Sequence, residues 1–212
     1  MKRILVVDDD PGIVELVSRG LKRAEYEVET AIGGEECLAK YDDFDPDMVL
    51  LDIMMPDING WDVLKKLVED HDIHGTIFVM LTAKPLDEMD AKREQFEFLS
   101  HYITKPFGMK DLVSEIQQVF RDEEDIRKEE TKVSHSFGKE FARSYLGHLK
   151  LTTRRQRIIT GIMDEDTREI FRQCQETPGL GEVVSSLDRL TRLIKEVEEE
   201  LGVIREKVKT LL

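Results

Sequence analysis

The sequence predicts an α/β fold, in which a five-stranded parallel sheet is covered by helices on both faces, followed by an all-α region. Two observations predict the first part: short apolar runs alternate with segments of helical periodicity, and polar residues directly follow the runs. A sustained apolar pattern with steps of three and four residues near the end of the chain predicts the second part. With 212 residues, 40% of them hydrophobic, the chain is large enough for one domain and a substantial appendage.

Five short apolar runs are the predicted strands, and they cover residues 4–7, 28–31, 48–51, 77–81 and 102–104. Short runs without polar interruption suit strands that are buried on both faces of a parallel sheet. The first helical segment has apolar residues every three to four positions, at Ile13, Leu16, Val17, Leu21 and Ala24. The last one repeats the pattern at Leu112, Ile116, Val119 and Phe120. Right-handed crossovers between parallel strands then leave few topologies.

The charge distribution limits the classes of function. A net charge of −14 argues against a chain that coats nucleic acid along its whole length. Residues 132–162 are an exception, because they carry seven basic and one acidic side chain, a net charge of +6. No run has the length of a membrane span, no signal-peptide pattern opens the chain, and Cys37 and Cys174 match no metal or disulfide spacing. We therefore expect a cytoplasmic protein with two reduced thiols.

Polar side chains follow four of the five predicted strands at the point where each strand ends. They are Asp8, Asp9, Asp10, Asp52, Thr82 and Lys105. Because the carboxyl ends of parallel strands meet at one edge of a sheet, these side chains should converge. Carboxylates brought together repel one another unless a hard cation such as Mg²⁺ lies among them. A hydroxyl and a lysine beside them would bind the oxygens of a phosphoryl group, which makes Asp52 the candidate acceptor.

Four segments carry a resemblance to a known family: ILVVDDD, DMVLLDIMMPDINGWDVL, LTA and YITKPF. In order and spacing they resemble the signatures of the response-regulator receiver domain (CheY-like) of two-component signalling, over residues 1–121. The resemblance implies a doubly wound, flavodoxin-like sheet with strand order 2-1-3-4-5. It also implies phosphorylation of Asp52 by a sensor histidine kinase or a phosphotransfer protein. The implied ligands of Mg²⁺ (or Mn²⁺) are Asp8, Asp9, Asp52 and the backbone carbonyl of Met54.

The same resemblance assigns the remaining site residues. Thr82 and Lys105 would hold the phosphoryl oxygens, and Tyr102 occupies the position of the family's switch aromatic residue. The Lys105–Pro106 peptide bond is expected to be cis, an arrangement that is confined to bonds preceding proline. From the residues alone, we expect Asp10 to cap the first helix and Asp57 to shape the turn before Asn59-Gly60.

Two departures from the family pattern lead to further hypotheses. The segment FEFLSH before Tyr102 is bulkier and more apolar than the family's usual loop, so we expect Phe96 and Phe98 to belong to an interface of this protein. Met54 and Lys84 occupy the positions that modulate phosphoryl lifetime in the family. Met54 offers no group that could position an attacking water, and a long-lived phosphoryl state is therefore expected.

The chain after residue 121 divides into three predicted segments. Residues 122–133 form a charged helical linker, residues 134–176 a helical region with a basic cluster, and residues 180–212 a coiled-coil helix that dimerises the chain. The predicted dimerisation positions are Leu187, Leu190, Ile194, Val197, Leu201, Ile204 and Val208. An amphipathic helix packed within its own chain would give the same pattern.

Three interpretations of this second part remain open. In the first, phosphorylation switches a helical module for dimerisation and protein interaction, with an unknown output partner. In the second, the basic segment 150–157 binds DNA and the protein is a transcriptional regulator. In the third, His135 belongs to a phosphotransfer helix pair. No zinc-finger, cyclase-type or phosphodiesterase-type motif follows residue 122, which favours the first.

Overall fold

A computed structural model of the chain describes residues 1–71, 73, 75–83, 94–137 and 199. Several predictions concern residues outside this set. They are those on Lys84, on the basic segment 150–157 and on all seven dimerisation positions. No helix within the described part is long and apolar enough to cross a membrane.

Five parallel strands form one sheet with the order β2-β1-β3-β4-β5. The strands are β1 (Arg3–Val7), β2 (Glu27–Ala31), β3 (Met48–Leu51), β4 (Ile77–Thr82) and β5 (Leu99–Thr104). The helices of the described residues are α1 (Pro11–Arg23), α2 (Gly34–Phe44), α3 (Gly60–Asp70) and α4 (Met109–Phe137), with a short 3-10 helix at Glu94–Phe98. The predicted parallel α/β sheet and its strand order are confirmed, whereas most of the predicted all-α region lies outside the described residues.

The chain divides into two compact units, Met1–Val119 and Phe120–Leu212. The sheet and its helices α1 to α3 belong to the first unit. Helix α4 begins in the first unit and ends at Phe137, so it includes residues 122–133 and His135.

The three inner strands explain the unbroken apolar runs of the sequence. Every residue of β3 and β4 is buried, and so are the last four residues of β1. The edge strand β2 instead buries only Val28 and Ala31, which accounts for its polar residues. Burial of each large apolar side chain in such a sheet contributes roughly 1.5–3 kcal/mol. The sheet therefore provides a rigid base for the residues that follow its strands.

Each helix packs one face against the sheet. One residue that was predicted for the buried face of α1 is exposed instead. Helix α1 buries Val14, Val17, Ser18 and Leu21. Leu16 was expected on this face, but it is 51% exposed. It lies one residue before Val17, about 100° around the helix from it, so it points away from the buried stripe. In the first turns of α4, Leu112, Ile116 and Val119 are buried as predicted.

The segment before Tyr102 differs from its prediction. Strand β5 already begins at Leu99, three residues earlier than the apolar run suggested. Phe96 is 4% exposed and stacks on Trp61 of α3, with 6.4 Å between the ring centroids. Phe96 is therefore a core residue, and its assignment to an interface is wrong. Phe98 is half-buried, and its role stays a prediction.

The pairing of β4 with β5 contains one irregularity. Phe78 pairs with Leu99 and the next residue, Val79, pairs with His101, so Ser100 is an extra residue on β5. Such a bulge re-aims the side chains that follow it in the strand. Tyr102 comes after this bulge and pairs with Met80 in the regular part of the ladder.

Candidate metal centre and phosphoacceptor site

Three carboxylates meet at the carboxyl edge of the sheet because β1 and β3 are neighbours, and each of these strands is followed directly by aspartate. The Asp52 N–H donates to the Val7 carbonyl oxygen at 2.9 Å, and this bond extends the sheet ladder by one residue. Carboxylate oxygens of Asp8, Asp9 and Asp52 lie within 4.8 Å of one another. The structure thus brings together the three acidic side chains that the sequence predicted for the site.

Burial makes this cluster electrostatically unusual. Asp8 is 1% exposed and Asp52 is 4% exposed, whereas Asp9 is exposed to solvent. Burial raises the pKa of Asp8, and the hydrogen bonds from Lys105 and from the Asp10 N–H offset this effect only in part. Without a bound cation, the surroundings of Asp8 therefore disfavour its charged form.

Lys105 provides the nearest positive charge. Its Nζ lies 2.5 Å from Asp8 Oδ2 and 3.5 Å from Asp52 Oδ1. The Lys105 N–H donates to the Thr82 carbonyl oxygen at 2.9 Å, which places the lysine directly beyond the last pair of β4 and β5. The Lys105–Pro106 peptide bond is cis, as the resemblance implied.

The donor set fits a divalent cation. Lys105 offsets one of the three formal negative charges of the cluster, and a divalent cation matches the two that remain. Carboxylate and carbonyl oxygens are the ligands that hard cations such as Mg²⁺ prefer. The acidic triad contains the three carboxylates that the resemblance implied as ligands of Mg²⁺.

The loop between β3 and α3 brings the backbone close behind Asp52. A Cβ atom added at Gly60 would lie 2.2 Å from the Asp52 carbonyl oxygen, so only glycine fits there. The Gly60 N–H donates to the Ile53 carbonyl oxygen at 3.0 Å, and the Ile53 N–H donates to Asp52 Oδ1 at 2.9 Å. The start of α3 therefore fixes the position of Asp52. Met54 lies in this loop with its side chain 59% exposed.

Asp10 and Asp57 are placed outside the acidic cluster. Asp10 caps α1 as predicted, because its side chain accepts the Gly12 N–H at 2.7 Å and Pro11 occupies the first position of the helix. Asp57 has a contact that sequence reasoning missed: its Oδ2 accepts the N–H of Glu35, in the first turn of α2, at 3.1 Å.

Thr82 and Tyr102 lie on the strands that complete this edge. Thr82 is the last residue of β4 and is fully buried. Tyr102 is 5% exposed within β5. Their positions put a hydroxyl on β4, which neighbours β3, and an aromatic residue on β5, which neighbours β4. Their roles in phosphoryl binding and switching stay predictions.

Comparisons with known proteins agree over the first part of the chain. A profile of the response regulator receiver domain matches residues 4–117. The transcriptional regulatory protein TrcR of Mycobacterium tuberculosis is 36% identical over 119 residues, which cover 56% of this chain and 45% of TrcR. The alkaline phosphatase synthesis transcriptional regulatory protein PhoP of Bacillus subtilis is 37% identical over 123 residues, which cover 58% of this chain and 50% of PhoP. The chain thus spans about half the length of these curated relatives.

A solved structure supports the same relationship. The chemotaxis protein CheY4 of Vibrio cholerae superimposes with a TM-score of 0.52 and 31% sequence identity, covering 56% of this chain and 98% of that protein. The matched region contains the complete sheet and the acidic edge described above. The profile match over more than half of the chain, the sheet order and the three converging aspartates lead to one conclusion. This chain belongs to the response regulator receiver domain family.

Proposed function

We propose that the protein is a two-component response regulator in which Asp52 accepts a phosphoryl group from a phosphohistidine. The donor is a sensor histidine kinase or a phosphotransfer protein. The observation that carries this proposal is the burial of Asp52 beside two further carboxylates and a lysine, because no packing requirement of the sheet explains such a set.

The chemistry is a phosphoryl transfer between two side chains. A carboxylate oxygen of Asp52 forms the new bond to phosphorus while the nitrogen–phosphorus bond of the donor breaks. The leaving imidazole keeps the electron pair of that bond and takes up a proton. The protein contributes positioning and charge stabilisation, which account for most of the catalysis in this class of reaction.

The other residues of the edge have separate roles in this proposal. Asp8, Asp9, Asp52 and the Met54 carbonyl hold Mg²⁺ or Mn²⁺, which when bound neutralises negative charge on the carboxylates and the phosphoryl oxygens. The Lys105 ammonium and the Thr82 hydroxyl donate hydrogen bonds to the phosphoryl oxygens. Tyr102 changes its packing when Thr82 engages the phosphoryl group, and this change is the output signal of the domain.

Incubation with a small phosphodonor such as acetyl phosphate tests the acceptor assignment. The native chain should take up one acid-stable but hydroxylamine-sensitive phosphoryl group in the presence of Mg²⁺, and mass spectrometry should locate it at Asp52. The variant Asp52→Asn should take up none. Uptake by Asp52→Asn at the native rate would contradict the assignment.

For the second part of the chain, we propose a helical module that dimerises through positions 187–208 and contacts a protein partner. The support is the heptad pattern, which continues over about four heptads, and the lack of a recognisable catalytic motif after residue 122. Light scattering on the native chain and on the double variant Ile194→Ser and Leu201→Ser tests it. The native chain should be a dimer and the variant a monomer, with and without Mg²⁺ and beryllofluoride.

DNA binding is the second candidate for the output. TrcR and PhoP are named as transcriptional regulators, although the similarity to them covers only the receiver part of this chain. The support within this sequence is the basic cluster in the segment 150–157. If it binds DNA, the affinity should fall steeply with salt concentration, because phosphate contacts release counterions. Lack of binding to mixed-sequence DNA at low salt would exclude this candidate.

A further inference from the structure

We propose that Asp57 is a positioning residue for the metal site. Its carboxylate caps α2 from the loop between β3 and α3, and this contact holds the part of the loop that carries the Met54 carbonyl. The proposal rests on the proposed function, because it assumes that this carbonyl is a metal ligand.

Helix α2 lacks a cap of its own. Its N-cap residue is Gly33, which has no side chain, and the first backbone N–H groups of a helix need external acceptors. Asp57 supplies one of them, because its Oδ2 lies 3.1 Å from the Glu35 nitrogen. The cap of α2 thus comes from a residue that is 22 positions away in the sequence.

The glycine is needed for this contact. Gly33 has a φ angle of +107°, which residues other than glycine rarely adopt. A Cβ atom added there would lie only 2.7 Å from Asp57 Oδ2. The carboxylate therefore occupies the space that a capping side chain on α2 itself would fill.

The electrostatics of Asp57 agree with this contact. Burial alone would raise its pKa, but the backbone N–H groups of Glu35, Ile58, Asp57 and Gly34 outweigh burial, and the pKa lies below its ordinary value. The ionised carboxylate is thus the form that the start of α2 and the loop before α3 stabilise.

The loop is anchored on both sides of Met54, because Ile53 before it is 1% exposed and the Met55 N–H after it donates to the Ile53 carbonyl oxygen at 3.2 Å. Its two ends are fixed, at Asp52 by the bond to Val7 and at Gly60 by the bond to Ile53. Between them the Met54 side chain is exposed, so it cannot hold its own backbone by packing. Met55 is 7% exposed and provides one anchor, and the Asp57 carboxylate provides another.

Substitution of Asp57 by alanine should weaken metal binding while leaving every proposed ligand in place. We expect the dissociation constant of Mg²⁺ to rise about 3- to 10-fold, less than the roughly 10- to 100-fold that follows loss of a group bonded directly to a ligand. The constant can be measured on the full chain by competition against Mn²⁺, because the free Mn²⁺ paramagnetic resonance signal disappears on binding.

Two matched variants separate positioning from other effects. Asp57→Asn removes the charge but keeps an oxygen acceptor, so it should retain a dissociation constant within about 2-fold of native, as expected for a preserved side-chain cap. Glu35→Ala removes an exposed carboxylate from the first turn of α2 but leaves the N–H that Asp57 accepts. It should bind Mg²⁺ like the native chain even if it lowers the stability of α2.

The outcomes distinguish this inference from the proposed function. Weakened binding in Asp57→Ala, with native binding in the two matched variants, supports positioning. Equal weakening in Asp57→Asn and Asp57→Ala would assign the effect to charge and overturn the inference. Native binding by Asp57→Ala would also overturn it. If the native chain itself bound no Mg²⁺, the metal site of the proposed function would be wrong.

Discussion

The amino ends and the carboxyl ends of the strands, which form the amino edge and the carboxyl edge of the sheet, differ in how their charged residues are paired. At the amino edge, Lys2 lies 3.2 Å from Asp47 with both side chains partly exposed, and Arg3 pairs with Asp45 at the surface. Asp47 and Asp45 thus each have a basic partner of their own. At the carboxyl edge, Asp8 and Asp52 are buried and share Lys105.

This difference separates structural charges from functional ones within one sheet. Exposed ion pairs contribute little to stability, and their loss is easily tolerated. Buried carboxylates without full compensation reduce the free energy of unfolding, and proteins keep such groups mainly where they bind or react. Changes at the carboxyl edge should therefore alter binding and reactivity strongly, while changes at the amino edge should alter only stability, and by little.

The largest effect is expected for Lys105→Ala. Loss of a preorganised donor to the transferred group should slow phosphoryl uptake from a small donor about 100- to 1000-fold. The same variant should bind Mg²⁺ more tightly, because the carboxylates lose their positive partner. Stopped-flow phosphorylation and metal titration measure the two effects. The control is Lys110→Ala, which removes an exposed lysine of α4. Unchanged phosphoryl uptake in Lys105→Ala would contradict the role assigned to Lys105.

The close contact behind Asp52 gives the next largest effect. Gly60→Ala should lower the free energy of unfolding by about 2 kcal/mol, because the new methyl group meets rigid backbone at the Asp52 carbonyl. Gly20→Ala is the matched control: its methyl group would be 2.0 Å from the flexible end of the Met109 side chain, which can move aside. Urea denaturation of both variants measures the difference, and equal losses would contradict the rigid contact.

The raised pKa of Asp8 predicts a pH-dependent stability. Because the folded-state pKa lies above the unfolded one, the stabilising contribution of Asp8 is complete below the unfolded pKa and is lost as the pH rises through the folded pKa. Without Mg²⁺, the native chain should therefore lose stability relative to Asp8→Asn as the pH rises above the ordinary range of a carboxyl pKa. Asp43→Asn, at an exposed site on α2, is the control for the loss of one carboxylate. If the free energy of unfolding of the native chain instead increased relative to Asp8→Asn as the pH rose, the prediction would be contradicted.

The smallest effect belongs to the amino edge. Lys2→Ala removes the exposed pair with Asp47 and should lower the free energy of unfolding by less than about 0.5 kcal/mol. Mg²⁺ affinity should stay at the native value, because this edge lies at the other end of the strands. A loss above about 1 kcal/mol, or a change in metal affinity, would remove the contrast between the two edges.

The sequence predicted the sheet order and the converging aspartates because both follow from patterns along the chain. Strand ends can be located from apolar runs, and the topology of parallel sheets then brings Asp8, Asp9 and Asp52 together. The cap at Asp10 was predictable for the same reason, since its partners are the next residues in the sequence.

The contacts that were missed or wrongly assigned depend on tertiary packing. Asp57 accepts a backbone N–H from the first turn of α2, which is distant in the sequence. The one sequence signal was the start of a helix after Gly33, a residue without a capping side chain. Phe96 was assigned to an interface from its place in an unusual segment, but it fills space beside Trp61. Local pattern carries no information on which buried space a particular aromatic ring occupies.

The measurement that tests the central claim most directly is the Mg²⁺ dependence of thermal unfolding in the native chain and in Asp52→Asn. If the carboxyl edge is a cation site, saturating Mg²⁺ should raise the unfolding midpoint of the native chain, by an amount equivalent to about 1.4 kcal/mol at ten times the dissociation constant. The rise should be much smaller in Asp52→Asn, which lacks one ligand charge. An equal rise in both chains, or none in the native chain, would contradict the assignment of this edge as the metal and phosphoacceptor site.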